Sequence, residues 1–142
     1  LMHMHRQPQD MQMLPMQGDA LAAVHDFFAQ RLSDLAALQS VDASVPPRLC
    51  LDVGIGFGKT VEQNFALTRH LAYFADFGLP LLMGWSRKSS LGAVTGLEVG
   101  QRLAPSLAAA LFSVQNGAQI LRVHDVAPTR AALQILQATQ AA

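Results

Sequence analysis

The sequence is poor in charge, and especially in lysine. Only 14% of its 142 residues are charged, and ten basic side chains balance ten acidic ones. An average soluble domain carries about 25% charged residues. Lys59 and Lys88 are the only lysines; the other eight basic residues are arginines. Zero net charge gives no overall field toward nucleic acid or an anionic membrane, so the sequence predicts neither partner.

Cysteine and long hydrophobic runs are also scarce. The single cysteine, Cys50, excludes an intramolecular disulfide and a multi-cysteine metal site, and it fits a reducing compartment. The most apolar stretch, residues 103–114, is interrupted by Pro105, Ser106 and Ser113. Because a membrane-spanning helix needs about 18 to 20 apolar residues, no membrane span is predicted. A hydrophobic content of 51% predicts a folded chain rather than a disordered one.

Four short apolar runs alternate with four segments of helical periodicity. The runs cover residues 1–4, 48–53, 79–85 and 119–123. They are almost continuously apolar, as in strands of a parallel sheet covered on both faces. Asp19 and Thr60 are predicted N-caps of the first two helices, and Pro128 marks the first turn of the last. The sequence therefore predicts an α/β fold made of four βα units.

The carboxyl ends of the predicted strands carry most of the unusual chemistry. Ligands of parallel α/β folds gather at these ends. Both lysines, three arginines, three histidines and the only tryptophan follow the four runs directly, within residues 3–6, 52–59, 84–88 and 122–125. A chain with little charge thus concentrates it where a site is expected.

Residues 51–60 form a glycine-rich strand-to-helix turn, Leu-Asp-Val-Gly-Ile-Gly-Phe-Gly-Lys-Thr. Such a loop brings backbone N–H groups close to a ligand at a helix N-terminus. It resembles a nucleotide-binding P-loop, but Val53 stands where the first glycine is required, which disfavours that alternative. It does not fit a G-x-G-x-x-G loop, because Lys59 takes the last position. Asp52 can accept two hydrogen bonds from an amidine-like heterocycle. A purely structural glycine turn is the alternative.

Two further turns are rich in cations. Residues 84–89 place Ser86, Arg87 and Lys88 directly after a buried strand, which suits an anion or a polar ring, with a solvated turn as the alternative. In residues 122–125, Arg-Val-His-Asp, the arginine and the histidine point to the same side of the strand. An inward arginine needs an anionic or stacking partner, and pairing with an aspartate alone would be a structural role.

Two other constellations are weaker. His3 and His5 have a spacing that metal ligands use, but no further His, Cys or acidic cluster in the sequence completes a site, so packing is favoured. Ser86, His124 and Asp125 could assemble a hydrolytic triad, but the sequence has no G-x-S-x-G nucleophile elbow.

Taken together, the motifs resemble the dihydropteroate synthases of the pterin-binding family, and they come in the order of that family. The resemblance spans essentially the whole chain. The matching pieces are Met2-His3-Met4, Pro8-Gln9-Asp10-Met11-Gln12, residues 51–59, Ser86-Arg87-Lys88-Ser89 and Arg122-Val123-His124-Asp125-Val126. Departures from the family pattern are Val53, Pro105 and His5-Arg6-Gln7.

The resemblance implies a fold and a reaction. The domain, residues 1–142, would be the carboxyl-terminal half, strands 5–8, of a (β/α)8 TIM barrel, incomplete as given because such a barrel needs about 250 residues. The family joins 4-aminobenzoate to 6-hydroxymethyl-7,8-dihydropterin diphosphate, giving dihydropteroate and diphosphate, with Mg²⁺ as cofactor.

The resemblance also assigns roles to seven residues. Lys88 and Arg122 would be catalytic, and together with Asp52 they would bind the pterin. Gly56, Phe57 and Ser86 would bind the aminobenzoate, and Arg122 and His124 the diphosphate. No residue of the chain is assigned to the metal.

The implied assembly is a cytoplasmic homodimer, and the small apolar side chains of residues 103–114 suit a subunit interface. The first alternative is a catalytically incomplete fragment or degenerate relative that only binds ligand or serves a structural role. A nucleotide-binding P-loop domain and a flavodoxin-like open sheet are the other two.

Overall fold

The computed structural model describes residues 1–7, 9, 11, 13–38 and 48–141. Pro8, Asp10 and Gln12, which belong to the second motif of the resemblance, lie outside the described residues. The helices are α1 (Ala20–Leu38), α2 (Val61–Arg69), α3 (Ser89–Thr95), α4 (Leu103–Gln115) and α5 (Val126–Gln140). The strands are β1 (Leu51–Asp52), β2 (Leu81–Met83) and β3 (Ile120–Leu121), and two 3₁₀ helices cover Leu71–Phe77 and Val99–Gln101.

The three strands form one parallel sheet in the order β1-β2-β3. Leu51 lies opposite Leu81, and Met83 lies opposite Leu121. The α/β class with a parallel sheet is therefore confirmed. The first predicted run, residues 1–4, is represented by a single parallel bridge between Met2 and Asp52, so three strands and a bridge stand where four strands were predicted.

Both predicted N-caps are present. The Asp19 carboxylate accepts hydrogen bonds from the backbone N–H groups of Leu21 and Ala22 at 2.8 and 3.3 Å. Thr60 and Gln63 cap each other reciprocally at the start of α2. These local hydrogen bonds satisfy N–H groups that the first helical turn leaves unpaired, which fixes where each helix begins.

Helix α3 was not predicted. Its sequence, Ser-Ser-Leu-Gly-Ala-Val-Thr, is short and contains a glycine, so it has little helical periodicity or propensity. It exists because Leu91 is buried in the core and because α3 packs against α2 and α4. Tertiary contact thus overrides the local preference.

The core lies between the sheet and the helices. Phe28 of α1 packs edge-to-face on Phe74, with ring centroids 5.8 Å apart, and both rings are fully buried. Trp85 follows β2, stacks on Phe65 and donates a hydrogen bond from Nε1 to Thr68 Oγ1 at 2.9 Å. No helix in the described ranges is long and apolar enough to cross a membrane.

Candidate functional site

A polar cleft of about 520 Å³ opens at the carboxyl end of the sheet. The loops that follow β2 and β3 form its walls. Its lining residues are Gly84, Ser86, Arg87, Lys88, Val99, Arg122, Val123 and His124. The structure thus brings together two of the turns that the sequence marked as cation-rich.

Asp52 and Arg122 face each other beside this cleft. An Asp52 carboxylate oxygen lies 3.7 Å from Nη2 of Arg122, and its other oxygen accepts a hydrogen bond from the Gly54 backbone N–H at 2.8 Å. Asp52 is buried, whereas the Arg122 side chain is 54% exposed. Arg122 is therefore not an inward, buried arginine as expected. Its guanidinium remains accessible to a ligand.

Gly84 makes room for that guanidinium. A Cβ atom on Gly84 would lie 2.7 Å from Nη2 and 3.1 Å from Cζ of Arg122. Any larger residue at position 84 would push the guanidinium away from Asp52. The close approach of backbone and side chain here is one that only glycine permits.

Lys88 reaches across to the glycine-rich loop. Its Nζ lies 4.2 Å from the centre of the Phe57 ring, within the range of a cation–π contact. A Cβ on Gly56 would lie 3.2 Å from Lys88 Cδ, so the loop leaves just enough space for the lysine stem. Burial and the nearby Arg122 lower the pKa of Lys88, while Asp52 raises it. Three predicted site residues, Gly56, Phe57 and Lys88, are in contact.

Ser86 and His124 form a second contact pair. The Ser86 hydroxyl oxygen accepts a hydrogen bond from the His124 backbone N–H at 3.1 Å and lies 2.9 Å from its Nδ1. The hydrolytic triad that the sequence disfavoured is not formed, because the Asp125 carboxylate binds Arg87 rather than the histidine. The pair holds the imidazole at the cleft rather than activating a nucleophile.

Lys59 points into the protein. It is 5% exposed, and its Nζ donates hydrogen bonds to the backbone carbonyls of Gly54 at 2.9 Å and Phe57 at 3.4 Å. Its pKa is lowered to about 7, chiefly by burial and to a smaller degree by Lys88, while Asp52 opposes the shift. A P-loop lysine must reach a phosphate, so this orientation disfavours the nucleotide-binding alternative.

Three side-chain contacts around the cleft were not predicted from the sequence. Asn64 accepts a hydrogen bond from the Gly56 N–H at 2.9 Å and so holds the glycine-rich loop. Arg87 pairs with Asp125, and Arg102 binds backbone carbonyls under Lys88. Periodicity could only have marked Asn64, as a polar residue on the buried face of α2. No local signal joins the other two to their partners.

The residues present do not fit a resident Mg²⁺ site. In the described part of the chain, no three or more His, Cys, Asp or Glu side chains cluster as metal ligands, His3 and His5 included. Both carboxylates near the cleft, Asp52 and Asp125, lie beside arginines.

A parallel α/β sheet with these motifs at its carboxyl edge defines a pterin-binding enzyme. The family model described as "Pterin binding enzyme" matches residues 1–124. The chain belongs to this family.

Several similar proteins are named dihydropteroate synthase. Dihydropteroate synthase of Escherichia coli K12 is 39% identical over 143 aligned positions, covering all of this chain and 49% of that protein. The enzyme of Haemophilus influenzae is 42% identical over 98% of this chain and 49% of its own length. The chain thus spans about half the length of the relatives it matches.

Solved structures give the same result. Dihydropteroate synthase of Stenotrophomonas maltophilia, with imidazole in its active site, superposes with a TM-score of 0.89 at 44% identity, covering 99% of this chain and 52% of that one. The Xanthomonas albilineans enzyme in complex with 7,8-dihydropteroate has a TM-score of 0.85 at 43% identity, covering 100% and 50%.

Proposed function

We propose that this chain supplies the catalytic carboxyl-terminal half of a dihydropteroate synthase. That transferase joins 4-aminobenzoate to 6-hydroxymethyl-7,8-dihydropterin diphosphate and releases dihydropteroate and diphosphate. The observation that carries the proposal is the arrangement of Asp52, Lys88 and Arg122 at the carboxyl edge of the sheet. The relatives' name supports it. The expected correspondence with strands 5–8 of a TIM barrel belongs to this proposal.

Asp52 is suited to hold the pterin. Its carboxylate is buried, and one oxygen faces the cleft side where Arg122 lies 3.7 Å away. A carboxylate in such a place accepts two hydrogen bonds from the amino-pyrimidine edge of the ring. Lys88 donates to the ring heteroatoms, and the planar guanidinium of Arg122 stacks on the ring face.

Arg122 and His124 are suited to receive the leaving diphosphate. Departure of this anion leaves positive charge at the pterin methylene carbon, so the site must stabilise charge separation rather than supply a nucleophile. Arg122 is exposed enough to reach the anion while still near Asp52. His124 is fixed at the cleft through Ser86.

The aminobenzoate site is proposed at Gly56, Phe57 and Ser86. Phe57 offers an aromatic face already in contact with Lys88. Lys88 thereby lies between the proposed pterin site and the proposed aminobenzoate site. Holding two substrates in contact converts a bimolecular reaction into an effectively unimolecular one, which adds to the stabilisation of charge.

Calorimetry with 6-hydroxymethylpterin diphosphate tests the site. We expect binding to the purified chain that Lys88→Ala and Arg122→Ala each weaken by about tenfold or more, the loss typical of a charge-assisted contact. Arg69→Ala, at the opposite end of α2, is the matched control and should bind as the unaltered chain does. Binding that is indifferent to both site variants would remove the assignment.

A catalytically incomplete fragment is the second candidate, since the chain covers about half of its relatives. Diphosphate release from the purified chain separates the two. We expect none from the chain alone, and release once the amino-terminal half of the Xanthomonas albilineans relative is added. Binding without release in the mixture would favour the fragment that only binds.

Mg²⁺, a homodimer and a cytoplasmic location complete the proposal. The described residues offer no metal cluster, so Mg²⁺ is expected only together with the diphosphate. Calorimetry in Mg²⁺ and in EDTA tests it. Sedimentation equilibrium tests the homodimer, and fractionation of the source cells tests the location.

A further inference from the structure

We propose that Arg102 is a positioning residue that fixes the turn from which Lys88 enters the site. Arg102 lies just before α4, fourteen residues after Lys88. The inference rests on the proposed function, in which Lys88 contacts both substrates. Arg102 acts through the backbone, because its Nε and Nη1 donate hydrogen bonds to backbone carbonyls.

The Arg102 guanidinium binds two stretches of backbone at once. Its Nε donates a hydrogen bond to the Leu97 carbonyl at 2.8 Å, and its Nη1 donates to the Arg87 carbonyl at 3.2 Å. The Lys88 carbonyl lies 3.5 Å from the same Nη1. Leu97 follows α3, and Arg87 and Lys88 precede this helix. The Arg102 side chain therefore links the two ends of the α3 segment.

Both backbone polar groups of Arg87 are hydrogen-bonded to residues at the start of α4. Its carbonyl accepts from Arg102, and its N–H donates to the Ser106 hydroxyl oxygen at 3.0 Å. Ser106 in turn donates to the Arg102 carbonyl at 2.5 Å. Arg87 has a φ of 60°, a left-handed conformation that costs a non-glycine residue energy. The hydrogen bonds with Arg102 and Ser106 hold Arg87 in this conformation.

Gly92 provides a second, independent observation. The Arg102 guanidinium lies directly against this glycine, and a Cβ there would be 2.6 Å from Cζ and 2.7 Å from Nε. Glycine inside a helix is destabilising relative to alanine, because it loses more backbone freedom on folding. Helix α3 therefore carries an unfavourable residue at the one position where the guanidinium passes.

The consequence falls on Lys88, which is the N-cap residue of α3. Its side chain leaves the held turn, passes Gly56 and ends over the Phe57 ring. If the turn relaxes, the ammonium group loses this partly buried position. Lys88 would then become solvated, with no change to its own chemistry.

A titration of the lysine side chains tests the inference without any ligand. The sequence has two lysines, so lysine labelled with ¹³C at Cε gives two signals. In Arg102→Met we expect the pKa of Lys88 to rise toward the ordinary value of about 10.4. The pKa of Lys59 should stay well below its ordinary value, because burial is the main cause of its shift, and should rise only by the small effect of Lys88. A Lys88 titration equal to that of the unaltered chain would overturn the inference.

If Arg102→Met fails to fold, both lysines will titrate at the ordinary lysine pKa. Gly92→Ala then serves as the second variant. It keeps every polar group, and its Cβ meets the guanidinium, so the pKa of Lys88 should rise while that of Lys59 stays lowered by burial. Gly100→Ala is the matched control, since a Cβ there meets no atom within 4 Å. An unchanged Lys88 in Gly92→Ala counts against the inference as well.

Binding of 6-hydroxymethylpterin diphosphate then separates this inference from the proposed function. Arg102→Met should weaken binding by about tenfold, but it should have no further effect once Lys88 is alanine, because coupled residues are not additive. Equal losses in both backgrounds would show a role independent of Lys88. If the unaltered chain binds no pterin, the proposed function fails, and the lysine titration alone decides the role of Arg102.

Discussion

The Arg87 guanidinium and the Asp125 carboxylate form a two-point ion pair across the candidate site. Nε lies 3.1 Å from one carboxylate oxygen and Nη2 lies 2.7 Å from the other. The pair joins the loop after β2 to the loop after β3, over a sequence separation of 38 residues. Because each residue is adjacent to a proposed ligand residue, Lys88 or His124, the pair sets their spacing.

Breaking this pair should affect binding more than stability. Exposed ion pairs contribute little to folding, so Arg87→Lys and Asp125→Asn should keep nearly the same melting temperature. Both should weaken diphosphate binding severalfold in calorimetry, because the two loops lose their fixed spacing. Arg31→Lys, which alters an exposed pair with Asp34 on α1, is the control. A drop in melting temperature with unchanged binding would contradict the prediction.

Gly54→Ala should be far more disruptive than Gly78→Ala. Both glycines have positive φ, 73° and 65°, so both substitutions carry the left-handed cost of about 1–2 kcal/mol. A Cβ on Gly54 would also collide with the His3 backbone carbonyl, whereas Gly78 has no atom within 4 Å of that position. Urea denaturation should show the additional loss for Gly54→Ala alone. Equal losses would mean that the loop can move away from His3.

The lowered pKa of Lys59 predicts that the free energy of unfolding rises with pH above neutrality. Its pKa is about 7 in the folded chain and 10.5 ordinarily, so between these values the unfolded chain binds more protons. Stability therefore increases as pH rises through this window. Urea denaturation at pH 6.5, 8 and 9.5 measures the slope. Lys59→Met should flatten it, although the variant loses the hydrogen bonds to Gly54 and Phe57.

His3 predicts a second dependence at acid pH. Burial, with Lys59 and His5 nearby, lowers its pKa from 6.5 to about 4. The unfolded chain therefore binds more protons between pH 4 and 6.5, and stability falls as the solution is acidified through this window. In His3→Leu the component due to His3 should disappear. A slope that survives the substitution would assign the acid sensitivity to other groups.

Ser86→Ala should separate orientation from charge at the diphosphate site. The variant keeps the His124 imidazole but removes the hydroxyl that lies 2.9 Å from Nδ1. We expect diphosphate affinity to fall by less than in His124→Ala, with the fold preserved. Ser89→Ala, an exposed serine at the start of α3, is the control. A loss as large as that of His124→Ala would give Ser86 a direct contact with the ligand.

Much of the local structure was predictable from the sequence. The N-caps at Asp19 and Thr60 depend on side chains that bond within three residues, so a short pattern is enough to find them. The glycine-rich loop was likewise recognisable from its repeated glycines. Gly54 and Gly58 stand where the backbone has a positive φ. Helix α3 was not, since it depends on burial of Leu91 rather than on its own propensity.

The sequence by itself determined the class of fold, the family motifs and the edge of the sheet at which they meet. The fold class and the edge follow from periodicity, capping and the rule that parallel strands present their carboxyl ends together, whereas the motifs rest on the resemblance to the family. Only the tertiary structure decided which groups pair. Lys59 donates to a carbonyl of the glycine-rich loop. Arg87, rather than His124, binds Asp125. Arg102 donates to the backbone carbonyl that precedes Lys88. Such choices depend on distances between segments far apart in the chain, which no local pattern of residues encodes.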